Sequence, residues 1–227
     1  AERGQMLAFE PPHFGPGATF GGALAAGLSG PRRATSGALR DFVLGAVLMD
    51  GRGQVLQFGG QVMKNVAGYD VSRLLAGSLG TLGLVLQQSV KVLPRPVCEL
   101  SLRFAMSEID ALRCLNTWGG QALPLSASCW CDGELSLRLS GAQAAVVAAA
   151  STLGGERFEG AAFWASLREQ THPFFAGATA LWRLSVPSAV SALVLRTPQL
   201  IEWGGAQRWL RLDTDAEGAA RLRALAA

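Results

Sequence analysis

At 227 residues, with 49% apolar and 16% charged side chains, the chain has the length for one large domain or two modest ones and the material for a sizeable core. A formal net charge of +3, with no basic run interleaved with aromatics, argues against nucleic acid as a partner. No apolar run reaches the roughly 18 residues of a membrane span. The nearest, ALWRLSVPSAVSALVLR, is broken by Arg183 and Pro187.

The chain opens on AERGQMLAFEPP, without a methionine or the basic-then-apolar pattern of a secretion signal, and reads like the interior of a protein. Glycines then cluster in PPHFGPGATFGGALAAGLSGPRR, Pro11 to Arg33. Here Thr19-Phe20-Gly21-Gly22 leads into small residues, the pattern of a turn into a helix. Exposed N–H groups on such a turn can seat a phosphate, with Arg32 and Arg33 adding charge. The alternative is that these glycines only make tight turns and close packing, and the local residues leave both readings open.

DFVLGAVLMDGRGQVLQFGG reads as a hairpin, Phe42–Met49 and Gln54–Phe58 about an Asp50–Gly51 turn. VSRLLAGS is a short helix and TLGLVLQQSVKVL a strand, with Leu82, Leu84 and Leu86 on one face and Gly83 opposite. A second glycine cluster, Gly77 to Gly83, stands between them. The glycine-rich half ends near LPRPV, Leu93 to Val97, where two prolines interrupt regular structure.

The second half contains an echo. ELSLRF at Glu99–Phe104 recurs as ELSLRL at Glu134–Leu139, each followed at the same offset by a helix candidate, SEIDALRCLNTW and AQAAVVAAASTLGG. Ser107 and Asp110 form a capping-box pattern, and Gly154–Gly155 a helix stop. Each helix precedes a strand candidate, PLSASCWC and then ALWRLSV. The order is β-α-β twice over, the ferredoxin-like pattern.

Sites for hydrolytic chemistry are not apparent. His13 and His172, the only histidines, lie outside any metal or nucleophile motif, and no GxSxG, Walker or GxGxxG pattern occurs. The cysteines Cys98, Cys114, Cys129 and Cys131 read as reduced thiols; Cys129 and Cys131 have no nearby ligands to complete a zinc set.

Taken together, FGGALAAGLSGPRR, GALRDFVLGAVLMDGRGQVLQFGG, KNVAGYDVSRLLAGSLGTLGLV and KVLPRP resemble the family of FAD-binding subunits of bacterial glycolate oxidases, within the vanillyl-alcohol-oxidase or PCMH-type flavoproteins. LWRLSVP and LIEWGGAQRWL extend the likeness into the second half. The resemblance implies an α+β fold: the second FAD-binding subdomain of the PCMH type in residues 1–97, then a ferredoxin-like α+β cap in 98–227. It implies FAD as cofactor, no metal, and cofactor contacts at Pro11, Thr19, Gly21, Gly22, Ala25, Ser29, Arg32, Gly80, Gly83 and Val85.

It further implies oxidation of glycolate to glyoxylate in a complex with a sister flavoprotein subunit and an iron–sulfur subunit, in the cytoplasm or at the inner membrane through that complex. The alternative is a non-catalytic assembly subunit with a vestigial FAD site. The family's first FAD subdomain would precede GQMLAFEPP and the family continues beyond AARLRALAA, so the sequence is expected to be truncated at both ends. The chain alone is then expected to hold FAD weakly or not at all. The cap lacks the histidine cluster of related 2-hydroxyacid dehydrogenases, and the catalytic base stays unknown.

Overall fold

Antiparallel pairing organises both halves of the chain. The computed structural model describes residues 3–60, 69–177, 179–193, 195 and 197–225. Of the segments carrying the resemblance, residues 64–68 of KNVAGYDVS lie outside these. The chain divides into two compact units, Ala1–Arg95 and Pro96–Ala227.

The first unit contains β1 (Gln5–Met6), α1 (Phe20–Ala26), α2 (Arg33–Ser36), β2 (Val43–Met49), β3 (Val55–Gly59), α3 (Val71–Leu74), β4 (Leu84–Val90) and β5 (Leu93–Pro94). Strands β3-β2-β4 form one sheet, and β1 pairs with β5. Phe9, Leu24, Leu39, Phe42, Ala46, Leu48 and Leu75 make the core, with the Phe9 and Phe42 rings 5.3 Å apart.

The β2–β3 hairpin forms, but not through a two-residue turn. Asp50 Oδ1 accepts the N–H groups of Arg52 (2.8 Å) and Gln54 (2.9 Å), and the positive φ falls on Gly53 at 77°. An aspartate carboxylate that can capture backbone donors draws the loop out to residues 50–54. β4 starts at Leu84, so Leu82 precedes it, and a register shift between Val47 and Leu48 leaves Leu86 unpaired. All three leucines are exposed, while Val85 packs on the core.

The second unit holds β6 (Cys98–Ala105), α4 (Glu108–Gly119), β7 (Leu125–Cys131), β8 (Glu134–Gly141), α5 (Gln143–Leu153), β9 (Glu156–Phe158), α6 (Ala161–Arg168), β10 (Leu181–Ser185), β11 (Gln199–Glu202), β12 (Gln207–Arg211) and α7 (Ala216–Ala224). Its seven strands run in the order β10-β12-β11-β7-β8-β6-β9. Within this sheet β7-β8-β6-β9 is the ferredoxin-like arrangement, every pair antiparallel.

Its fourth strand differs from the expectation. The three-residue β9 directly after α5 takes that place, while ALWRLSV becomes β10 at the far edge of the sheet.

The two echoed hexapeptides are each other's partners. Leu100 faces Leu139, Leu102 faces Leu137 and Phe104 faces Leu135, while Ser101 and Arg103 face Arg138 and Ser136. One side therefore buries Leu102, Leu135, Leu137 and Leu139 with Ala111 and Leu115 of α4 and Val146, Ala149 and Ala150 of α5. On the other side Trp164 of α6 donates from Nε1 to Ser101 Oγ (2.9 Å), and the Arg138 guanidinium stands 5.2 Å from the Trp164 ring. The two helices stop and start where the residues predict. Ser107 Oγ accepts from Asp110 N at 3.2 Å, and Gly154 caps α5 at φ 71°.

Glu202 of β11 is buried, its Oε2 accepting from Trp209 Nε1 (2.9 Å) and Gln207 Nε2 (3.0 Å). Burial pushes its carboxyl up to about 7, against the two hydrogen bonds that favour the ion. The folded state thus keeps a proton that the unfolded chain loses above about 4.5. The contribution of Glu202 is full below that pH, declines as pH rises to about 7, and amounts to about 3 kcal/mol. Glu202→Gln, which keeps an acceptor without a charge, should remove that part of the pH slope. Urea midpoints of both proteins between pH 4.5 and 8 check this, and parallel slopes would refute it.

Candidate functional site

The first glycine cluster folds as a short capped helix. Thr19 is extended at the N-cap of α1 and its Oγ1 accepts from Gly22 N at 3.0 Å. Gly21 and Gly22 are exposed in the first turn. A Cβ on Gly21 would meet nothing within 4 Å, whereas one on Gly22 would stand 3.2 Å from Thr19 Oγ1. Among the described residues, nothing would meet a side chain at Gly21.

The second cluster lies against the first. Gly77 N donates to Leu24 O and Leu79 N to Ala25 O, both at 2.9 Å. The helix ends on Gly27 at φ 63°, where a Cβ would come within 2.8 Å of Gly77 Cα. Bare backbone on both sides is what allows this approach. Gly77 and Gly80, at φ 84° and 74°, have open space where a side chain would stand.

The remaining candidates divide. Pro11 is buried beside Glu10, whose Oε2 accepts from Arg32 N (3.0 Å) and whose Oε1 lies 3.4 Å from Arg32 Nε. Arg32 is itself buried, so its guanidinium is engaged by a carboxylate of its own unit. Ser29 Oγ accepts from Leu39 N at 3.2 Å. Ala25 contributes the carbonyl that receives Leu79. Gly83, at φ 144°, makes room for Met49 O, which a Cβ would meet at 2.5 Å, and Val85 packs inward. Ser29, Gly83 and Val85 thus have structural partners within the protein.

Two residues escaped the sequence reading. Gly27 sits at the junction of the clusters, with only its place after a run of alanines as a signal. Glu10, at φ 48°, holds Arg32 from 22 positions away, and nothing local marks that pairing.

The two cysteines of the CWC stretch are not set up as reactive thiolates. Burial pushes the thiol of Cys129 well up and that of Cys131 to about 11, with neighbouring acidic groups adding to both. Such thiols stay protonated at neutral pH. Among the described residues no cluster of three or more His, Cys, Asp or Glu is placed to hold a metal ion, and no helix is long and apolar enough to cross a membrane.

Residues 1–59 match the model of a family described as an FAD binding domain. That match lies within the first of the two units. Over 92% of its length it is 52% identical to glycolate oxidase subunit GlcE of Escherichia coli, covering 59% of that protein. It is 39% identical to glycolate oxidase subunit GlcD of Bacillus subtilis over 41% of the chain and 20% of that relative. With D-lactate dehydrogenase of Archaeoglobus fulgidus the identity is 37%, over 51% and 27%.

The chain thus spans less than two thirds of these relatives. A solved alkyldihydroxyacetonephosphate synthase superposes on 99% of the chain and 56% of its own length, with a TM-score of 0.65 and 14% identity. That likeness concerns the fold alone, one of mixed helices and antiparallel sheet.

FAD is the cofactor of this domain family, and the described residues fit one part of it. Gly21, Gly77 and Gly80 each leave the backbone open where a side chain would stand, with Leu79 exposed between the last two. Arg32, held by Glu10, is not presented as a phosphate ligand.

Proposed function

We propose that the chain is the FAD-binding portion of one component of a complex that oxidises glycolate to glyoxylate. The observation that carries this reading is the 52% identity to GlcE across 92% of the chain. On this reading residues 1–97 bind the cofactor and 98–227 form the cap. Bound FAD would supply the acceptor for a hydride equivalent from the carbon bearing the hydroxyl of the 2-hydroxyacid. The chain's own part is to present Thr19, Gly21 and Gly22, with Gly77 and Gly80 adjoining, as a surface that nucleotide atoms can touch. Pro11 and Ala25 shape the segments behind it.

A sister flavoprotein of the GlcD kind and an iron–sulfur protein would complete the complex, in the cytoplasm or peripheral at the inner membrane. The engagement of Arg32 by Glu10 favours a second reading, a component that serves assembly and whose FAD site is vestigial.

One substitution separates the two. Gly21→Val adds a side chain where the protein has open space, so the fold should stand while the nucleotide loses its approach. In the full complex, carrying this chain in its complete subunit, flavin bound to the separated subunit should fall at least about tenfold, the loss of roughly 1.4 kcal/mol of binding. Glycolate-dependent dye reduction should fall with it. Unchanged flavin content would overturn the site, and a wild-type subunit without flavin in an active complex would establish the assembly reading.

A further inference from the structure

The turn bonded to α1 carries a residue that the fold itself does not call for. Thr81 N donates to Ser78 O at 3.0 Å, and the two residues between them, Leu79 and Gly80, have φ angles of 52° and 74°. A hydrogen bond across four residues with both central φ angles positive is the pattern of a type I′ turn, where glycine, asparagine and aspartate predominate. Gly80 obeys that preference. Leucine at the other central position does not, because a bulky side chain in the left-handed region crowds its own backbone.

The backbone is held in this conformation from several sides. Gly77 N and Leu79 N donate to Leu24 O and Ala25 O of α1, both at 2.9 Å, and Ser78 N donates to Leu75 O at 3.2 Å. Thr81 Oγ1 adds a bond to Ser78 O at 2.7 Å. The unit thus imposes a positive φ on position 79 and gains little from the side chain there, since Leu79 is 73% exposed. A bulky residue held in a disfavoured conformation and left in solvent points to a contact beyond the folded unit.

The chemistry of leucine narrows what meets it. The side chain has no polar atom with which to hold a phosphate or a ribose hydroxyl, so it can only cover apolar surface. It is the one large side chain in Gly77–Gly80, and the glycines at both ends leave open space where theirs would stand. The helix to which this turn is bonded, α1, lies within residues 1–59, the part that matches an FAD binding domain. The ring systems of FAD offer flat apolar faces of the kind a leucine covers.

We propose that Leu79 is a cofactor-contacting residue whose side chain packs on a ring face of FAD. Leu79 has this role only if the chain holds FAD as proposed above, and the fold alone would be more stable without the leucine.

Leu79→Asn should therefore act in opposite directions on the fold and on the cofactor. In the 227-residue chain it should raise the urea midpoint of the first unit by about 0.3–0.5 M, followed by far-UV circular dichroism, because asparagine accepts a positive φ and little apolar burial is lost. In the complete subunit it should weaken flavin retention about tenfold, the scale of losing most of one leucine's apolar contact, read as flavin absorbance per subunit on dilution. Leu79→Met keeps both the apolar bulk and the strain. It should hold flavin far better than Leu79→Asn and show no rise in midpoint.

The proposal falls if the midpoint of Leu79→Asn is unchanged or lowered, if that variant retains flavin as the wild type does, or if Leu79→Met loses flavin equally. Loss of complex assembly with flavin retained would mean that a protein partner covers Leu79, and overturns it too. A complete wild-type subunit without flavin would instead overturn the flavin reading itself, and the role of Leu79 with it.

Discussion

Gly27→Ala should destabilise the first unit by about 3 kcal/mol, although it adds a single methyl group. Two effects combine. The residue ends α1 at φ 63°, a conformation that disfavours an ordinary side chain by about 1–2 kcal/mol. The new Cβ would also stand 2.8 Å from Gly77 Cα and 2.9 Å from Gly77 N, backbone atoms that cannot rotate away. Relieving that overlap means separating α1 from the Gly77–Gly80 turn, with loss of the hydrogen bonds into Leu24 O and Ala25 O. Gly21→Ala is the control, six residues earlier in the same segment but in open space. It should be neutral or stabilising by about 0.5–1 kcal/mol, because alanine favours a helix over glycine. Urea unfolding followed by far-UV circular dichroism, with hydrogen exchange at Gly77 and Leu79, distinguishes the two. Equal midpoints would mean that the two glycine clusters are not in contact in solution.

Arg208→Met should destabilise the second unit by about 3–5 kcal/mol. The side chain is wholly buried, so its removal strands two carbonyls, Gly205 O and Val190 O, and leaves Glu108 without its ion-pair partner. Glu108 already has its carboxyl raised by burial, with Arg208 acting in the opposite direction. Without the guanidinium it should take up a proton at higher pH. The double variant Arg208→Met, Glu108→Gln should recover part of the loss by removing the stranded charge. All six tryptophans lie between Trp118 and Trp209, so tryptophan fluorescence reports unfolding of this unit directly. A double variant no more stable than the single one would show that the charge was not the cause.

Much of the second unit was legible because its strands alternate strictly. In ELSLRF and ELSLRL every second residue is apolar, and antiparallel pairing of two near-copies places leucine against leucine or phenylalanine on one face and arginine against serine on the other. The caps at Ser107 and Gly154 were equally readable, since each acts within a few residues of itself. The fourth ferredoxin-like strand was not. Glu156–Phe158 is too short to show a period, and what makes it a strand is the free edge of β6 beside it. The strongly patterned ALWRLSV was placed there instead, because apolar alternation tells which residues pair but not with which edge.

The candidate site divides in the same way. Glycine at Gly21, Gly77 and Gly80 was visible, and so was the arginine at position 32. That Gly83 accommodates a neighbouring carbonyl, and that Arg32 is held by Glu10, depend on residues 34 and 22 positions away. The amino-acid order by itself determined the strand faces, the helix ends, the α+β class and the likeness to FAD-binding flavoproteins. Those properties rest on local spacing and short-range hydrogen bonds. Only the tertiary structure decided which glycines stay open and which charges are already paired, because exclusion of space and neutralisation of charge act between atoms that the chain brings together from far apart.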